Sequence, residues 1–457
     1  MPRIPTNRLV RTAKFGGLVA GQGARWAGGR VANRLRSEEA AEAADAKRAM
    51  ALADEIVRRL GEMKGAAMKL GQVLSTVDFE LVPEGEREEF KRRLAALRDQ
   101  APKVPFEQME RVVAADLGGR LTDHFATFER EPIAAASIGQ VYRAVTRDGR
   151  PVAVKVQYPG VAEAVETDLR NAAMLLPLVK RLAPGLDARA ILEELRERIG
   201  EELDYELEAQ NHRRVARAFR GHPFVRVPEV LTDLSTRRVL VTELVSGRTF
   251  EEVKRLPEAE RDRFAEICFR FFYGLLRRER IAAGDPHPGN YMLADDGRVA
   301  FIDFGFVRHI DPDYLDGERA LARAVIAGDA EEAHRRMAAL GYLPDPDSFE
   351  PERILAQVEA AGEWYFTTGF RRLSPDYVRE AMEQSGSPRS PFFEQMRRQT
   401  IPPQALLLRR MEGLLLSVLG DLRAGADWGA LALEYIADEP PSTELGRLEA
   451  DWVAARR

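Results

Sequence analysis

The spacing of apolar residues changes along the first third of the chain. From residue 38 to residue 117 they recur at helical intervals, and Gly118 follows the last of these predicted helices. From residue 128 to residue 156 apolar and polar residues alternate on both sides of a turn at Gly149, which is typical of two paired strands. The pattern therefore predicts a helical N-terminal part followed by a hairpin.

Helical spacing then returns. It is found at 160–220, and one apolar strand is predicted at 237–247 before a strongly apolar helix at 264–280. Helices are again predicted from residue 318 to residue 435. The fold class expected for this combination of helices and strands is α+β.

The stretch 284–305 contains two acidic residues and an amide at fixed intervals. Asn290 follows Asp285 by five residues, and Asp303 precedes Phe304 and Gly305. Protein kinases use an Asp, an Asn five residues later and the Asp of Asp-Phe-Gly as one phosphoryl-transfer site. Amide and carboxylate oxygens suit Mg²⁺. The alternative is a polar turn followed by a strand, but two motifs in this order favour the phosphoryl-transfer site.

The predicted hairpin has the features of a nucleotide-binding loop. Kinases have a glycine-rich loop here, followed by a Val-Ala-x-Lys strand. This chain has Lys155 in such a strand and mostly small residues in the loop positions, namely Ala134, Ala136, Gly139 and Val141. The alternative is a solvent-facing lysine on an edge strand, and the valines that flank Lys155 favour burial of its stem instead.

Two further segments fit the same chemistry. A kinase-like site needs a helical glutamate to hold its lysine, and Glu208 in the acidic run 201–211 is a candidate, although such a run is usually a solvated face. The strand at 237–247 leads into Glu243 and Val245, whose backbone groups could contact adenine as a kinase hinge does.

Composition sets outer limits on function. The net charge of −5 provides no general case for nucleic-acid binding, and the single cysteine, Cys268, excludes an intramolecular disulfide framework. No apolar run approaches the roughly 18 residues of a membrane span, and no secretory signal is evident, so a cytoplasmic protein is expected. Residues 1–36 contain eight basic residues and no acid, which predicts either an arm that contacts anionic membranes or a solvated tail.

Four motifs together resemble the UbiB/AarF-type atypical kinase family over roughly residues 50–420. They are KLGQ at 69–72, AAASIGQV at 134–141, ELD within EELDYELEAQN, and DPHPGN with DFG. The resemblance implies a two-lobed protein-kinase-like fold whose N-terminal helical extension covers the active site. It also implies ATPase activity stimulated by membranes and lipid-like ligands, in a protein that supports ubiquinone biosynthesis.

The resemblance also implies roles for individual residues. Lys69, near Gln72, would pair with Glu202 of the motif that ends in Asp204, and Lys155 would pair with Glu208. Asn290 and Asp303 would bind Mg²⁺, and Asp285 would be the catalytic carboxylate. ATP would contact Lys155, the hinge residues Glu243 and Val245, and the loop residues Ala134, Ala135, Ala136, Ser137, Gly139 and Val141. A protein complex for lipid biosynthesis is a further expected partner.

One position departs from the family. Ala283 stands where members usually have a histidine that braces the catalytic loop, so weakened catalysis is expected. The alternative to an ATP- and Mg²⁺-dependent ATPase or small-molecule kinase is thus a weakly active scaffold for lipid biosynthesis. The expected organisation is a basic arm at 1–36, a helical extension at 37–125, an N-lobe at 126–245, a C-lobe at 246–440 and a polar tail at 441–457.

Overall fold

The computed structural model describes residues 104–136, 138–182, 196, 199–284, 286–386 and 390–456, without the side chains of residues 171, 172 and 174–182. The described chain forms two compact units. One contains the described residues up to Leu207 together with Val230–Glu243, and the other contains Glu208–Glu229 and the chain from Leu244 onward. The predicted arm at 1–36 and extension up to residue 103 lie outside the described residues.

The N-terminal unit is built on one antiparallel sheet. Helices α1 and α2 precede it, and its strand order is β1-β3-β4-β6, with β2 paired to β3. The bounds are α1 Phe106–Leu117, α2 Leu121–His124, β1 Phe125–Phe128, β2 Ala134–Ala135, β3 Gly139–Thr146, β4 Pro151–Gln157, α3 Val161–Leu182 and β6 Val239–Glu243. The turn predicted at Gly149 joins β3 and β4 with a φ of +87°, a value that favours glycine.

The C-terminal unit contains three small sheets and most of the helices. Helix α4 (Tyr205–Ala218) runs into this unit. The strands are β5 Val225–Arg226, β7 Gly247–Arg248, β8 Ile281–Ala283, β9 Tyr291–Ala294, β10 Val299–Phe301, β11 Val307–His309, β12 Arg371–Arg372 and β13 Gly425–Ala426. They pair as β5-β10-β9-β7, β11-β8 and β12-β13.

The core of this unit forms around α6, at the place of the apolar helix predicted at 264–280, and side-chain caps fix where several other helices start. The helices are α5 Phe250–Val253, α6 Glu258–Glu279, α7 Pro312–Ile326, α8 Ala330–Ala339, α9 Pro351–Phe366, α10 Pro375–Gly386, α11 Phe393–Met396, α12 Pro403–Asp421, α13 Trp428–Ile436 and α14 Glu444–Ala454. Cys268 of α6 is fully buried, as expected for a core thiol. Asp311, Asp329, Asp427 and Thr443 each accept a backbone N–H at the start of α7, α8, α13 and α14.

The last segment is more structured than a polar tail. Helix α14 buries Leu445 and Glu449, and Glu449 forms ion pairs with Arg270 and Arg278 of α6. Hydropathy alone did not indicate this helix, because its main anchor is a charged residue. No helix of the described residues combines the length and apolar character that a membrane crossing requires.

Candidate active site

One strand pairing sets the positions of Asn290 and Asp303. Strands β9 and β10 are antiparallel with Tyr291 opposite Phe301, and the Ile302 N–H donates to the Asn290 carbonyl at 2.9 Å. The chain therefore brings Asn290 and Asp303 to the same end of the hairpin. Both residues line a cavity of about 20 Å³, which is roughly the space that one water needs.

Helix α4 holds the segment from Asp303 to Gly305 in place. The Gly305 N–H donates to Asp303 Oδ1 at 3.0 Å. A methyl group on Gly305 would lie 3.4 Å from Asp303 Oδ1 and 3.6 Å from Oε2 of the buried Glu208, so the two carboxylates flank this glycine. Asn211 donates to the Phe304 carbonyl at 3.3 Å. Sequence reasoning missed Asn211, whose only signal was its place at the end of the acidic run.

The chain that enters the candidate catalytic loop is braced without the family's histidine. Ala283 is buried in β8 opposite Val307, and the Gly284 N–H donates to the Phe306 carbonyl at 2.9 Å. Arg410 of α12 donates from Nε to the Gly284 carbonyl at 3.0 Å. Asp285 itself lies outside the described residues. We expected Ala283 to leave this loop without support. The chain is instead supported as far as Gly284, the last described residue before the loop.

The alanine-rich loop of the N-terminal unit is anchored at both ends. Ala134 and Ala135 are exposed and pair with Val141 and Gln140 across β2 and β3. The Ala136 N–H donates to the Gly139 carbonyl at 2.8 Å, and its carbonyl accepts the Tyr158 hydroxyl at 3.4 Å. Burial raises the pKa of Tyr158 to about 12, which keeps this donor protonated. Ser137 lies outside the described residues.

Gly139 is explained by packing within the unit rather than by a need for loop flexibility. A methyl group on Gly139 would clash with the Val156 carbonyl and would lie 2.8 Å from the Tyr205 hydroxyl. Glycine is therefore required where β3, β4 and the start of α4 meet.

Lys155 lies on a central strand. Strand β4 is between β3 and β6, and Lys155 is opposite Val141 on one side and Leu240 on the other. Its Nζ is 5.0 Å from the centre of the Tyr205 ring, within reach of a cation–π contact. The edge-strand alternative for Lys155 is wrong. Lys155 belongs to the N-terminal unit and Glu208 to the C-terminal unit, and their pairing stays a prediction.

Each of the remaining predicted residues has its own position and contacts. Glu243 ends β6 opposite Val152, and Val245 follows it, half-buried, before β7. Asp204 accepts the Glu206 and Leu207 N–H groups at 3.1 and 3.2 Å, so it caps α4. Glu202 is half-buried. Its predicted partner Lys69, and Gln72, lie outside the described residues.

The residues present fit Mg²⁺ better than a metal that needs a dedicated cage. No cluster of three or more His, Cys, Asp or Glu side chains that could hold a metal ion occurs in the described part of the chain. The donor set at the hairpin end is one carboxylate and one amide, from Asp303 and Asn290. Mg²⁺ is commonly bound by one or two carboxylates together with substrate phosphates, and this set matches that pattern.

Comparison with known proteins gives consistent results. The 33% identity to atypical kinase COQ8B, mitochondrial, of Rattus norvegicus extends over 350 residues, which is 75% of this chain and 64% of the relative. Atypical kinase COQ8, mitochondrial, of Saccharomyces cerevisiae is 29% identical over 355 residues, which is 76% of this chain and 68% of the relative. The matches span 64%, 57% and 46% of the rat, zebrafish (Danio rerio) and nematode (Caenorhabditis elegans) relatives, so the chain corresponds to about half to two thirds of their length.

A solved structure and a domain profile identify the fold and the family. The structure, a complex of Rv3197 with erythromycin from Mycobacterium tuberculosis, superposes with a TM-score of 0.64 at 30% identity and covers 84% of this chain and 95% of its own. This structural match confirms the predicted kinase-like fold, which combines helices and sheet. The profile of the ABC1 atypical kinase-like domain matches residues 96–337, which is more than half of the 457 residues. The chain therefore belongs to the ABC1 atypical kinase-like family, the UbiB/AarF-type group whose motifs it carries.

Proposed function

We propose that this protein binds ATP with Mg²⁺ and acts as an ATPase or a small-molecule or lipid kinase in support of isoprenoid-quinone (ubiquinone) biosynthesis. The observation that carries the proposal is the position of Asn290 and Asp303 at one end of the β9–β10 hairpin, where both line the same small cavity. Family membership supports the same chemistry.

Each site residue has a role in this proposal. Asn290 and Asp303 would hold Mg²⁺, which neutralises phosphate charge when bound. Lys155 would contact the phosphates, and Glu208 would hold Lys155. Asp285 would orient a water molecule or an acceptor hydroxyl. Adenine would lie against Glu243 and Val245, and the loop around Ala136 would cover the phosphates.

The chain after the metal-binding motif favours a small acceptor over a protein substrate. Only Phe306 lies between Gly305 and β11, and α7 begins at Pro312. Protein kinases have a long loop at this place that seats the substrate peptide. The short connection here has no room for such a platform, which supports water or a small-molecule hydroxyl as the acceptor.

The competing function is a weakly active scaffold that organises a lipid-biosynthesis complex. It was suggested by Ala283, since the missing histidine would leave the catalytic loop without support, and by the absent substrate platform. The contact from Arg410 to Gly284 supplies support from another direction, which favours the enzyme.

The basic arm adds a membrane component to the proposal. Eight basic residues in 1–36 would attract anionic lipid, and the helix with Lys69 follows the arm in sequence. Lipid binding would then shift Lys69 relative to Glu202 and open the active site. We therefore propose a cytoplasmic protein that binds peripherally to a membrane.

ATP hydrolysis by the purified chain tests the enzymatic proposal. We expect steady-state hydrolysis that requires Mg²⁺ and that falls at least a hundredfold in Asp303→Asn. Asp295→Asn is the matched control, because Asp295 is exposed in the turn of the same hairpin. If Asp303→Asn hydrolyses ATP as fast as the wild type, or if Mg²⁺ has no effect on ATP affinity, the proposed site is wrong.

A further inference from the structure

The C-terminal unit contains an apolar cavity that the proposed ATP chemistry does not use. Its volume is about 560 Å³, within the range of roughly 300–1,000 Å³ that is typical of small-molecule sites. Helices α6, α7, α9 and α12 contribute much of its wall, including Leu276, Leu321, Trp364, Tyr365, Leu408 and Leu416. None of the residues assigned above to ATP or Mg²⁺ lines this cavity.

Part of the cavity wall is polar, and its charges are paired. Arg409 donates to Glu412 at 2.6 Å and also contacts Glu318, while the Tyr342 hydroxyl donates to Glu318 at 2.6 Å. Glu318 is buried, but 39% of the Arg409 side chain is accessible. Because Arg409 lines the cavity, we take this accessible surface to face it.

Tyr273 supplies an unsatisfied polar atom in the same wall. The residue is 6% exposed and lines the cavity, and its hydroxyl has no hydrogen-bond partner among the described residues. Burial raises the pKa of this hydroxyl, so it remains a protonated donor. A buried hydroxyl without a hydrogen-bond partner is unfavourable, because folding removes it from water without replacing the lost hydrogen bond. A ligand oxygen in the cavity would remove this cost.

The paired charges decide which kind of ligand fits. Each of the four arginines in the wall already has a carboxylate partner: Arg277 and Arg319 pair with Asp438, Arg397 with Glu394, and Arg409 with Glu318 and Glu412. Burial raises the pKa of Glu412, although Arg409 opposes the shift. Among the described residues of this wall, an anionic ligand would find no unpaired cation, so a neutral ligand is favoured.

We propose that this cavity binds a neutral, mostly apolar small molecule with one hydroxyl or carbonyl oxygen, which accepts a hydrogen bond from Tyr273. The exposed side chains of Ile401 and Met382 also line the cavity and offer an apolar entrance. The site is independent of the proposed nucleotide chemistry, and binding is measured without ATP.

Binding is tested on the full chain with the neutral fluorescent probe N-phenyl-1-naphthylamine. Decan-1-ol and decanoate are the competitors, since they share a ten-carbon chain and differ in head-group charge. We expect the probe to bind with enhanced fluorescence. Decan-1-ol should displace it at a concentration at least tenfold below that needed with decanoate.

Two variants connect the binding to this cavity. Ala361 lines the cavity, and Ala361→Phe should lower probe affinity at least fivefold by filling it, whereas Ala327→Phe, at an exposed alanine outside the cavity wall, should not. Tyr273→Phe removes only the unsatisfied hydroxyl. It should weaken displacement by decan-1-ol about tenfold and leave probe affinity unchanged, while thermal stability stays at or above the wild-type value.

Three results would overturn the proposal. The first is probe binding to folded Ala361→Phe with wild-type affinity. The second is displacement by decanoate as strong as that by decan-1-ol, which would contradict the neutral head group. The third is an unchanged response of Tyr273→Phe to decan-1-ol, and this variant decides the question if Ala361→Phe fails to fold.

Discussion

Arg410 donates from Nε to the main-chain carbonyl of Gly284 at 3.0 Å, and this contact joins helix α12 to the residue immediately before Asp285. The guanidinium of Arg410 also lies 5.8 Å from the centre of the Phe306 ring. Gly284 is held tightly, because a methyl group there would lie 2.5 Å from Phe306 Cδ1. A side chain distant in sequence thus supports the entrance to the candidate catalytic loop.

Replacing Arg410 tests whether that contact supports catalysis. Arg410→Ala leaves a buried carbonyl without this donor, which should cost about 1–3 kcal/mol of unfolding free energy. ATP hydrolysis should fall at least tenfold, because Gly284 leads directly into Asp285. Urea unfolding and steady-state hydrolysis measure the two effects, with Arg379→Ala at an exposed position of α10 as the control. Wild-type turnover in Arg410→Ala would show that the loop needs no such support.

Gly139 offers a test of the N-terminal unit. In Gly139→Ala the new methyl group meets the Val156 carbonyl and the Tyr205 hydroxyl, and overpacking of this kind typically costs about 1–3 kcal/mol. We expect lower thermal stability and weaker ATP binding, because β3, β4 and α4 must separate. Gly149→Ala should also destabilise the protein, because the φ of Gly149 is positive and disfavours alanine. It should not weaken ATP binding in the folded protein. Unchanged stability of Gly139→Ala would contradict the packing described here.

The alanine loop should control nucleotide preference. Ala136→Gly widens the backbone dihedrals available to the loop, since glycine lacks the Cβ that restricts them. We expect ATP affinity relative to ADP to rise, autophosphorylation to increase and function in the cell to decline. Isothermal titration with both nucleotides measures the ratio, and Ala126→Gly at an exposed position of β1 is the control. An unchanged ATP-to-ADP ratio would remove Ala136 from the nucleotide site.

Glu449 should make the C-terminal unit sensitive to acid. Burial by itself would raise the pKa of Glu449, but nearby His222, Arg278 and Arg270 outweigh it and lower that pKa to about 2, below the ordinary value of 4.5. His222 Nδ1 accepts the Val225 N–H at 3.1 Å, which leaves the ring proton of the neutral form on Nε2, 3.7 Å from Glu449 Oε1. The carboxylate is thus stabilised in its charged form.

The sign of the pH dependence follows from this lowered pKa. The stabilisation is fully present above pH 4.5 and is lost as pH falls from 4.5 toward 2, because the unfolded state binds the proton first. Burial also lowers the pKa of His222, so further stability is lost as pH falls below 6.5. Unfolding followed by tryptophan fluorescence should therefore show that the free energy of unfolding decreases as pH falls. Below pH 4.5 this decrease should be shallower in Glu449→Gln than in the wild type. Glu444→Gln on the same helix should keep the wild-type dependence of unfolding free energy on pH. If Glu449→Gln also kept it, the lowered pKa of Glu449 would not be the cause of the acid sensitivity.

The basic arm should connect membranes to ATP hydrolysis. We expect anionic liposomes to bind the full-length protein and to raise its ATPase activity, with Trp26 and Phe15 inserting at the interface. Both effects should weaken at high salt, since exposed charges are screened over about 10 Å at 0.1 M ionic strength. Flotation and ATPase assays on full-length protein and on a deletion of residues 1–36 measure this at low and high salt. If the truncated protein floats and responds equally well, the arm is only a solvated tail.

Local patterns in the sequence were sufficient for several of the helices and strands and for the spacing of the candidate residues. The helix at Phe106–Leu117, the β3–β4 hairpin with its turn at Gly149 and the apolar helix around Cys268 follow from periodicity and turn chemistry, which depend on neighbours in the chain. The spacing of Asn290 and Asp303 could also be recognised from the sequence, because one short hairpin separates the two residues.

Tertiary structure decided what depends on residues far apart in sequence. The contact from Arg410 to Gly284 joins residues 126 positions apart, and the burial of Glu449 depends on arginines of α6, so neither leaves a periodic pattern. The central place of β4, where Lys155 is half-buried, required β6 to pair beside it. The cavity beside Tyr273 is enclosed by several helices, among them α6, α7, α9 and α12, and no single helix encodes that space.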